Sequence, residues 1–407
     1  MFKVLTIFGT RPEAIKLAPI LIELKKFPKI RSQICVTAQH RQMLDQVLSI
    51  FDIIPNIDLD LMCQNQLLPD LTAKVITEID CILTKLSPDL VLVQGDTTTT
   101  MASAMAAFYN KIPVGHVEAG LRSGDIHSPF PEEMNRQIAG LAARYHFAPT
   151  SAAEQALLKE GVPKDRVFLT GNPVIDALEI VLRKPIPPLV KSLLRRIGLN
   201  GKANRRNLIL VTAHRREHFG KGMENICYGL KTLATRNKDI RILYPVHFNP
   251  NVREPVFRTL DNVKNIFLID PVGYDVMAHL MNVAHLILTD SGGIQEEAPA
   301  LGKPVLVMRT ETERHEGIEA GTAKLVRPEA DCIVAETEHL LTDEDAYRRM
   351  ARSVNPYGDG QAAKRIVRII SSIANSTAPL AYGKRDTSIE IRSTKPEIRN
   401  NIEIQKH

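Results

Sequence analysis

The chain has no tryptophan, and aromatic side chains make up only 5% of its 407 residues. No basic block is interleaved with aromatics, so a nucleic-acid surface built on base stacking is not expected. No run of about 18 apolar residues exists, the length a membrane-spanning helix needs. The opening stretch, Met1-Phe2-Lys3-Val4-Leu5-Thr6-Ile7-Phe8-Gly9, is too short and wrongly flanked for a signal peptide and reads as a buried first strand. The five cysteines, Cys35, Cys63, Cys81, Cys227 and Cys332, are scattered, odd in number and without a CxxC pair. That argues against a disulfide framework and suits thiols in a reducing cytoplasm. No HExxH and no cysteine/histidine cluster marks a metal site. The loose dinucleotide match at Gly358-Asp359-Gly360-Gln361-Ala362-Ala363 follows no strand and has no suitably spaced acid beyond it. Neither a metal nor a redox cofactor is therefore expected.

What is present is a globular composition, 44% hydrophobic and 24% charged, with a mild net charge of +6. The length suits two α/β domains of about 180 residues each. Short apolar runs alternate with helical spacings such as Ala14–Leu24 and Thr97–Tyr109. The strand candidates are Val4–Phe8, Leu90–Val93, Val114–Glu118, Val167–Thr170, Leu208–Thr212, Ile240–Tyr244, Leu286–Thr289 and Val305–Met308. Continuous Val/Ile/Leu runs of this kind fit strands covered on both faces. The pattern predicts two doubly wound, Rossmann-like parallel sheets facing a cleft, with ligands at the carboxyl ends of strands. The expected division is an N-terminal domain over 1–171 and a second domain over 172–356. Residues 357–372 and a flexible polar tail over 373–407 follow.

Gly9-Thr10-Arg11-Pro12-Glu13 follows the first strand and opens a helix, with Lys16 about one turn on. It reads either as a diphosphate seat or as an ordinary turn with surface charges. In Gln94-Gly95-Asp96-Thr97-Thr98-Thr99-Thr100, Asp96 stands where an N-cap is expected and is also a carboxylate at the sheet edge. Glu118 ends another apolar run, and Glu132 opens a helical segment, where an acid also suits the helix dipole. Three clustered carboxylates can split their pKa values into an acid and a base. His214, at the end of Leu208–Thr212 and followed by Arg215 and Arg216, is a candidate anion contact. Thr289-Asp290-Ser291-Gly292-Gly293-Ile294-Gln295-Glu296-Glu297 is the most specific local signal. Two glycines and bare N–H groups there suit a phosphate, and Glu297 a ribose; Arg309 and Arg314 could add positive charge.

Together with Gln39-His40-Arg41 and Pro131-Glu132-Glu133-Met134-Asn135-Arg136, these motifs closely resemble, in order, the bacterial non-hydrolysing UDP-N-acetylglucosamine 2-epimerases, from about residue 2 to about residue 372. The resemblance implies a fold like the two-domain nucleotide-sugar glycosyltransferases, a last helix crossing back onto the first domain, and a homodimer. It implies catalytic Asp96, Glu118 and Glu132, and contacts from Arg11, Lys16 and His214 to the diphosphate or its surroundings. Ser291, Gly292 and Gly293 would bind phosphate, Glu297 the ribose, and Arg314 the nucleotide pocket. The segment from Val272 to Met277 would lie on the uracil side, with Met277 where an aromatic is usual. Gln39, Gln42, Arg215 and His247 resemble a site at which a second substrate molecule activates family members, with Asn65 where a basic residue is usual.

The implied reaction exchanges UDP-N-acetylglucosamine and UDP-N-acetylmannosamine, a precursor step for surface polysaccharide. The hydrogen on C2 is not adjacent to a carbonyl, so direct deprotonation leaves an unstabilised carbanion. Departure of UDP from C1 makes that hydrogen acidic. Three rivals remain: a hydrolysing epimerase, a glycosyltransferase needing an acceptor, and a non-catalytic nucleotide-sugar sensor.

Overall fold

A computed structural model of the chain describes residues 1–37, 41–61, 66–199 and 207–376. The first half runs β1 (Phe2–Phe8), α1 (Arg11–Leu24), β2 (Ile30–Val36), α2 (Arg41–Ile50), β3 (Ile57–Asp58), α3 (Leu68–Leu86), β4 (Leu90–Gln94), α4 (Thr98–Tyr109), β5 (Val114–Val117), α5 (Glu132–Ala142), β6 (Tyr145–Ala148), α6 (Ser151–Lys159) and β7 (Val167–Leu169). Two helices follow, α7 (Pro173–Arg183) and α8 (Pro188–Arg196). The second half runs β8 (Leu208–Thr212), α9 (Lys221–Arg236), β9 (Arg241–Pro245), α10 (Pro250–Leu260), β10 (Ile266–Ile269), α11 (Tyr274–Val283), β11 (Leu286–Thr289), α12 (Gly292–Glu297), β12 (Val305–Met308), α13 (His315–Glu319), β13 (Ala323–Val326), α14 (Ala330–Thr342), α15 (Glu344–Arg352) and α16 (Ala362–Asn375).

Two parallel sheets result, ordered β3-β2-β1-β4-β5-β6-β7 and β10-β9-β8-β11-β12-β13. β1 shows why the runs are continuous: Val4 and Phe8 face one core, Leu5 and Ile7 the other. Both faces are covered by helices, so both sets of side chains are apolar. All eight expected strands form, each within two residues of its expected ends. β2, β3, β6, β10 and β13 were not among them. They are short or mixed with polar residues, and such runs carry weak periodicity.

In each sheet the strand order reverses direction once, between β1 and β4 and between β8 and β11. At such a point two loops splay apart and leave a crevice at the strand carboxyl ends. The two halves share one continuous apolar cluster. It holds Val4 and Phe8, the α7 residues Val174, Ile175, Leu178 and Val181, the α16 residues Ile366, Val367 and Ile370, and Leu208 and Leu210 of β8. α16 packs on α1 and α7, so the end of the described chain returns to the first sheet's helices. It runs to Asn375, so residues 373–375 belong to it and not to the tail expected from 373. Residues 377–407 lie outside the described residues. Among the described residues, no helix is long and apolar enough to cross a membrane.

Candidate active site

The first sheet's switch point is built by the loops after β1 and β4. Gly9 is required by crowding, since a Cβ there would lie 2.1 Å from Thr37 Oγ1 and 2.7 Å from Thr99 Oγ1. Pro12 occupies the first turn of α1, and Arg11 is exposed at its start. Burial of the Arg11 surroundings lowers its pKa, and Glu297 pulls it back up. Lys16 follows five residues further along α1. One turn of helix rotates it towards the acidic residues, where its Nζ donates to Glu118 Oε1 and lies 3.6 Å from Glu296 Oε2.

Glu118 follows β5 with φ 64°, in the left-handed region that non-glycine residues rarely occupy. Lys16, Gln94 and Asn172 all donate to its carboxylate, the last at 2.9 Å. His116, two residues earlier, places Nε2 2.7 Å from the Gly95 carbonyl oxygen. Burial pushes this histidine down to about 4. The ring is therefore neutral near pH 7, and Nε2–H is the donor because the carbonyl can only accept.

Asp96 does not cap α4. Thr97 does, its hydroxyl accepting from the Thr100 N–H at 3.1 Å. A threonine oxygen one residue nearer the helix satisfies the free N–H and leaves the Asp96 carboxylate outside. That carboxylate pairs with Arg136 of α5, and Asn135 Nδ2 donates to the Asp96 carbonyl at 3.0 Å. Glu132 is half-buried at the start of the same helix. The fully buried carboxylate of that turn is Glu133, which accepts from Ser123 N, Gln137 Nε2 and Arg136 Nη1.

The second switch point joins the loops after β8 and β11. Asp290 Oδ2 accepts from the N–H groups of His214 at 2.7 Å and Arg215 at 2.8 Å. Its Oδ1 lies 3.5 Å from His214 Nδ1. The half-exposed His214 ring stacks on His247 with centroids 5.4 Å apart. Ser291 stands at the N-cap of α12 without a side-chain cap bond, and Gly293 beyond it is exposed. At Gly292 a Cβ would lie 3.3 Å from Glu313 Oε1 and 3.6 Å from Arg314 Nη2. Glu297, in the same helix, accepts from the Tyr274 hydroxyl at 2.6 Å. Tyr274 opens α11 between Val272 and Met277, both partly buried, so that segment borders Glu297.

Arg314 Nε donates to Glu296 at 2.6 Å, and the pair holds this guanidinium above its usual range despite burial. Arg309 is occupied elsewhere, on Glu217 at 2.7 Å and Glu313 at 2.6 Å. Arg215 reaches Glu313 at 2.8 Å. Of the residues resembling an activating site, Arg215 and His247 flank His214. Gln39, Asn65 and the side chain of Gln42 lie outside the described residues. Among the described residues, no cluster of three or more His, Cys, Asp or Glu suits a metal ion.

The two sheets' residues thus converge. Glu118 and Lys16 from one meet Glu296 and Arg314 from the other, and Asn172 donates to both Glu118 and Glu296, at 2.9 and 3.2 Å. No sequence signal assigns a role to Glu296, Gln94, Asn172 or Arg136. Glu296, Gln94 and Arg136 lie inside the strand-end and helix-start motifs, whereas Asn172 lies at the expected domain boundary.

Two parallel α/β domains with charged strand ends facing one cleft form the architecture of two-domain nucleotide-sugar enzymes, and solved structures of that architecture superpose on this chain. The family model described as UDP-N-acetylglucosamine 2-epimerase matches residues 22–371. The chain belongs to the UDP-N-acetylglucosamine 2-epimerase family. It is 54% identical over 372 residues to the UDP-N-acetylglucosamine 2-epimerase of Escherichia coli K12, covering 91% of this chain and 98% of that one. The crystal structure of UDP-GlcNAc 2-epimerase from Neisseria meningitidis bound to UDP-GlcNAc is 48% identical, with TM-score 0.84 over 91% of this chain and 100% of that chain. The Methanocaldococcus jannaschii UDP-GlcNAc 2-epimerase in complex with UDP-GlcNAc and UDP is 34% identical, with TM-score 0.75 over 91% and 100% of the two chains.

Proposed function

We propose that this chain interconverts UDP-N-acetylglucosamine and UDP-N-acetylmannosamine by inverting C2, without a cofactor and without releasing free sugar. The carrying observation is the junction at which Glu118 and Lys16 of one domain meet Glu296 and Arg314 of the other. The diphosphate is assigned to Arg11, His214 and the Ser291-Gly292-Gly293 helix start, with Arg314 beside it. The ribose is assigned to Glu297, and the uracil to the Val272–Met277 segment. Each well-aimed donor on the departing diphosphate is worth roughly 3–4 kcal/mol in such sites.

In the forward direction UDP leaves C1 as the C2 hydrogen is removed from the opposite face, an anti elimination. The product is 2-acetamidoglucal, with its double bond between C1 and C2. UDP then adds back to C1 while a proton reaches the other face of C2. Asp96, Glu118 and Glu132 are the carboxylates assigned to the sugar. Asp96, paired with Arg136, keeps part of its side chain exposed, whereas Glu118 is buried and tied by three donors. Lys16 is assigned to holding the acidic side together and not to the phosphates. A cytoplasmic homodimer supplying surface polysaccharide precursors completes this reading. Exposed Phe108 and Tyr109 on α4 and Leu141 on the adjoining α5 offer an apolar face for a second copy.

Incubation with UDP-N-acetylglucosamine in heavy water tests the mechanism. Both epimers should carry deuterium at C2, and free UDP should not accumulate. Epimers without solvent deuterium would falsify proton exchange at C2. Stoichiometric free UDP would favour the hydrolysing enzyme instead.

A further inference from the structure

Glu13 closes the Gly9–Glu13 motif and has no part in the proposal above, yet its side chain is 1% exposed. Oε2 accepts from the backbone N–H of Gly9 at 3.0 Å and of Thr10 at 2.7 Å. Oε1 accepts from the hydroxyls of Thr97 at 2.7 Å and Thr100 at 3.0 Å. The first two donors belong to the loop that carries Arg11, the second two to the chain that follows Asp96.

A glutamate three residues into a helix ordinarily reaches back to the N-cap N–H at the surface. Glu13 does that with one oxygen and commits the other to a different loop. Burying a carboxylate is costly unless its lone pairs are met, and here four donors meet them. The second sheet repeats the arrangement. Asp290 leaves β11 and, fully buried, holds the backbone of His214 and Arg215 after β8. In both sheets one buried carboxylate ties together the two loops that flank the switch point.

We infer that Glu13 is a positioning residue for the epimerisation: it fixes the separation between Arg11, on the departing diphosphate, and Asp96, on the sugar. The inference rests on the function proposed above. Glu13 itself needs no contact with substrate. A displacement of about 1 Å between reacting groups costs about 100-fold in rate, and this tether is what opposes it.

The test compares Glu13→Ala and Glu13→Gln for kcat and KM with UDP-N-acetylglucosamine, UDP-binding sites per chain, and thermal midpoint. The glutamine keeps an acceptor for the two N–H groups, and its amide can donate to the threonine hydroxyls. Glu13→Ala should lower kcat per UDP-binding site about 100-fold with KM changed little, and Glu13→Gln should restore most of it. Unchanged kcat per binding site in Glu13→Ala, whatever its midpoint, overturns the inference and leaves Glu13 a helix cap. Should the alanine variant not fold, a double variant Thr97→Val with Thr100→Val removes both hydroxyl donors to Oε1 and spares the cap on α1, and Thr97→Ser with Thr100→Ser, which keeps both hydroxyls and the α4 cap, is the control. Normal kcat in the valine double variant then overturns it equally. Wild-type turnover with deuterium at C2 is run alongside. Its absence sinks the functional proposal and this inference together, whereas normal wild-type turnover beside an unimpaired Glu13→Ala sinks this inference alone.

Discussion

The Nζ of Lys16, on the first helix, lies 3.6 Å from Oε2 of Glu296, on a short helix of the other sheet. The same ammonium donates to Glu118, and Arg314 neutralises Glu296 from the far side. Two cations therefore balance two carboxylates at the meeting of the domains. Burial works against the Lys16 ammonium, but Glu118 and Glu296 more than offset it and hold its pKa above the usual lysine value. The acidic side of the cleft is an ion-pair network and not a set of free carboxylates.

Removing Lys16 should therefore be more damaging than removing a surface charge. Breaking a buried pair from one side costs about 3–5 kcal/mol, because Glu118 is left buried without its ion-pair partner beside the Arg314-bound Glu296. Lys16→Met should lower the urea midpoint and reduce epimerisation at least about 100-fold. A variant with kcat within about threefold of wild type and an unchanged midpoint would show that the network is dispensable.

Glu297 gives a pH dependence with a defined sign. Burial pushes its carboxyl up to about 7, against the Tyr274 hydroxyl bond and the charges of Lys16 and Arg11, while Glu296 adds to the rise. A ribose hydroxyl donates best to the ionised form, so binding should strengthen as pH rises through about 7. Calorimetry with UDP-N-acetylglucosamine, whose diphosphate diester does not titrate in this range, should give about tenfold tighter binding at pH 8 than at pH 6. Glu297→Gln should flatten the curve, and Tyr274→Phe should move it to higher pH. For the empty protein the sign reverses. The folded state holds this proton more tightly than the unfolded chain, so the stability it contributes is full below about pH 4.5 and declines as pH climbs through about 7.

Asp176 of α7 accepts from the backbone N–H groups of Ala362 at 3.2 Å and Ala363 at 3.0 Å, and so caps α16 from a distant part of the chain. Asp176→Ala should cost about 0.5–2 kcal/mol, the usual loss for an N-cap. Burial pushes this carboxyl up to about 6, against those same N–H bonds. The wild-type midpoint should then contain a decline between about pH 4 and 6 that Asp176→Ala lacks. Identical pH profiles for the two proteins would count against the assignment.

Much of this could be read from the chain alone, and the reason is local. β8, β11 and β12 were placed to the residue because a strand covered on both faces must be apolar throughout. The turn at Gly9 and the Ser291-Gly292-Gly293 helix start were legible because tight turns and close approaches admit few residue types. The polar network was not legible in the same way. Glu118 is three residues from Leu121 and far in sequence from Lys16, Asn172 and Glu296, yet those last three are its neighbours or share its partners. Sequence determined that two parallel sheets form and which residues stand at their strand ends, because periodicity and steric allowance act over a few residues. Tertiary structure alone decided which charge meets which. It turned Lys16 to the acids, gave the cap of α4 to Thr97 and buried Glu13 between two loops, because hydrogen bonds depend on ångströms that sequence separation does not encode.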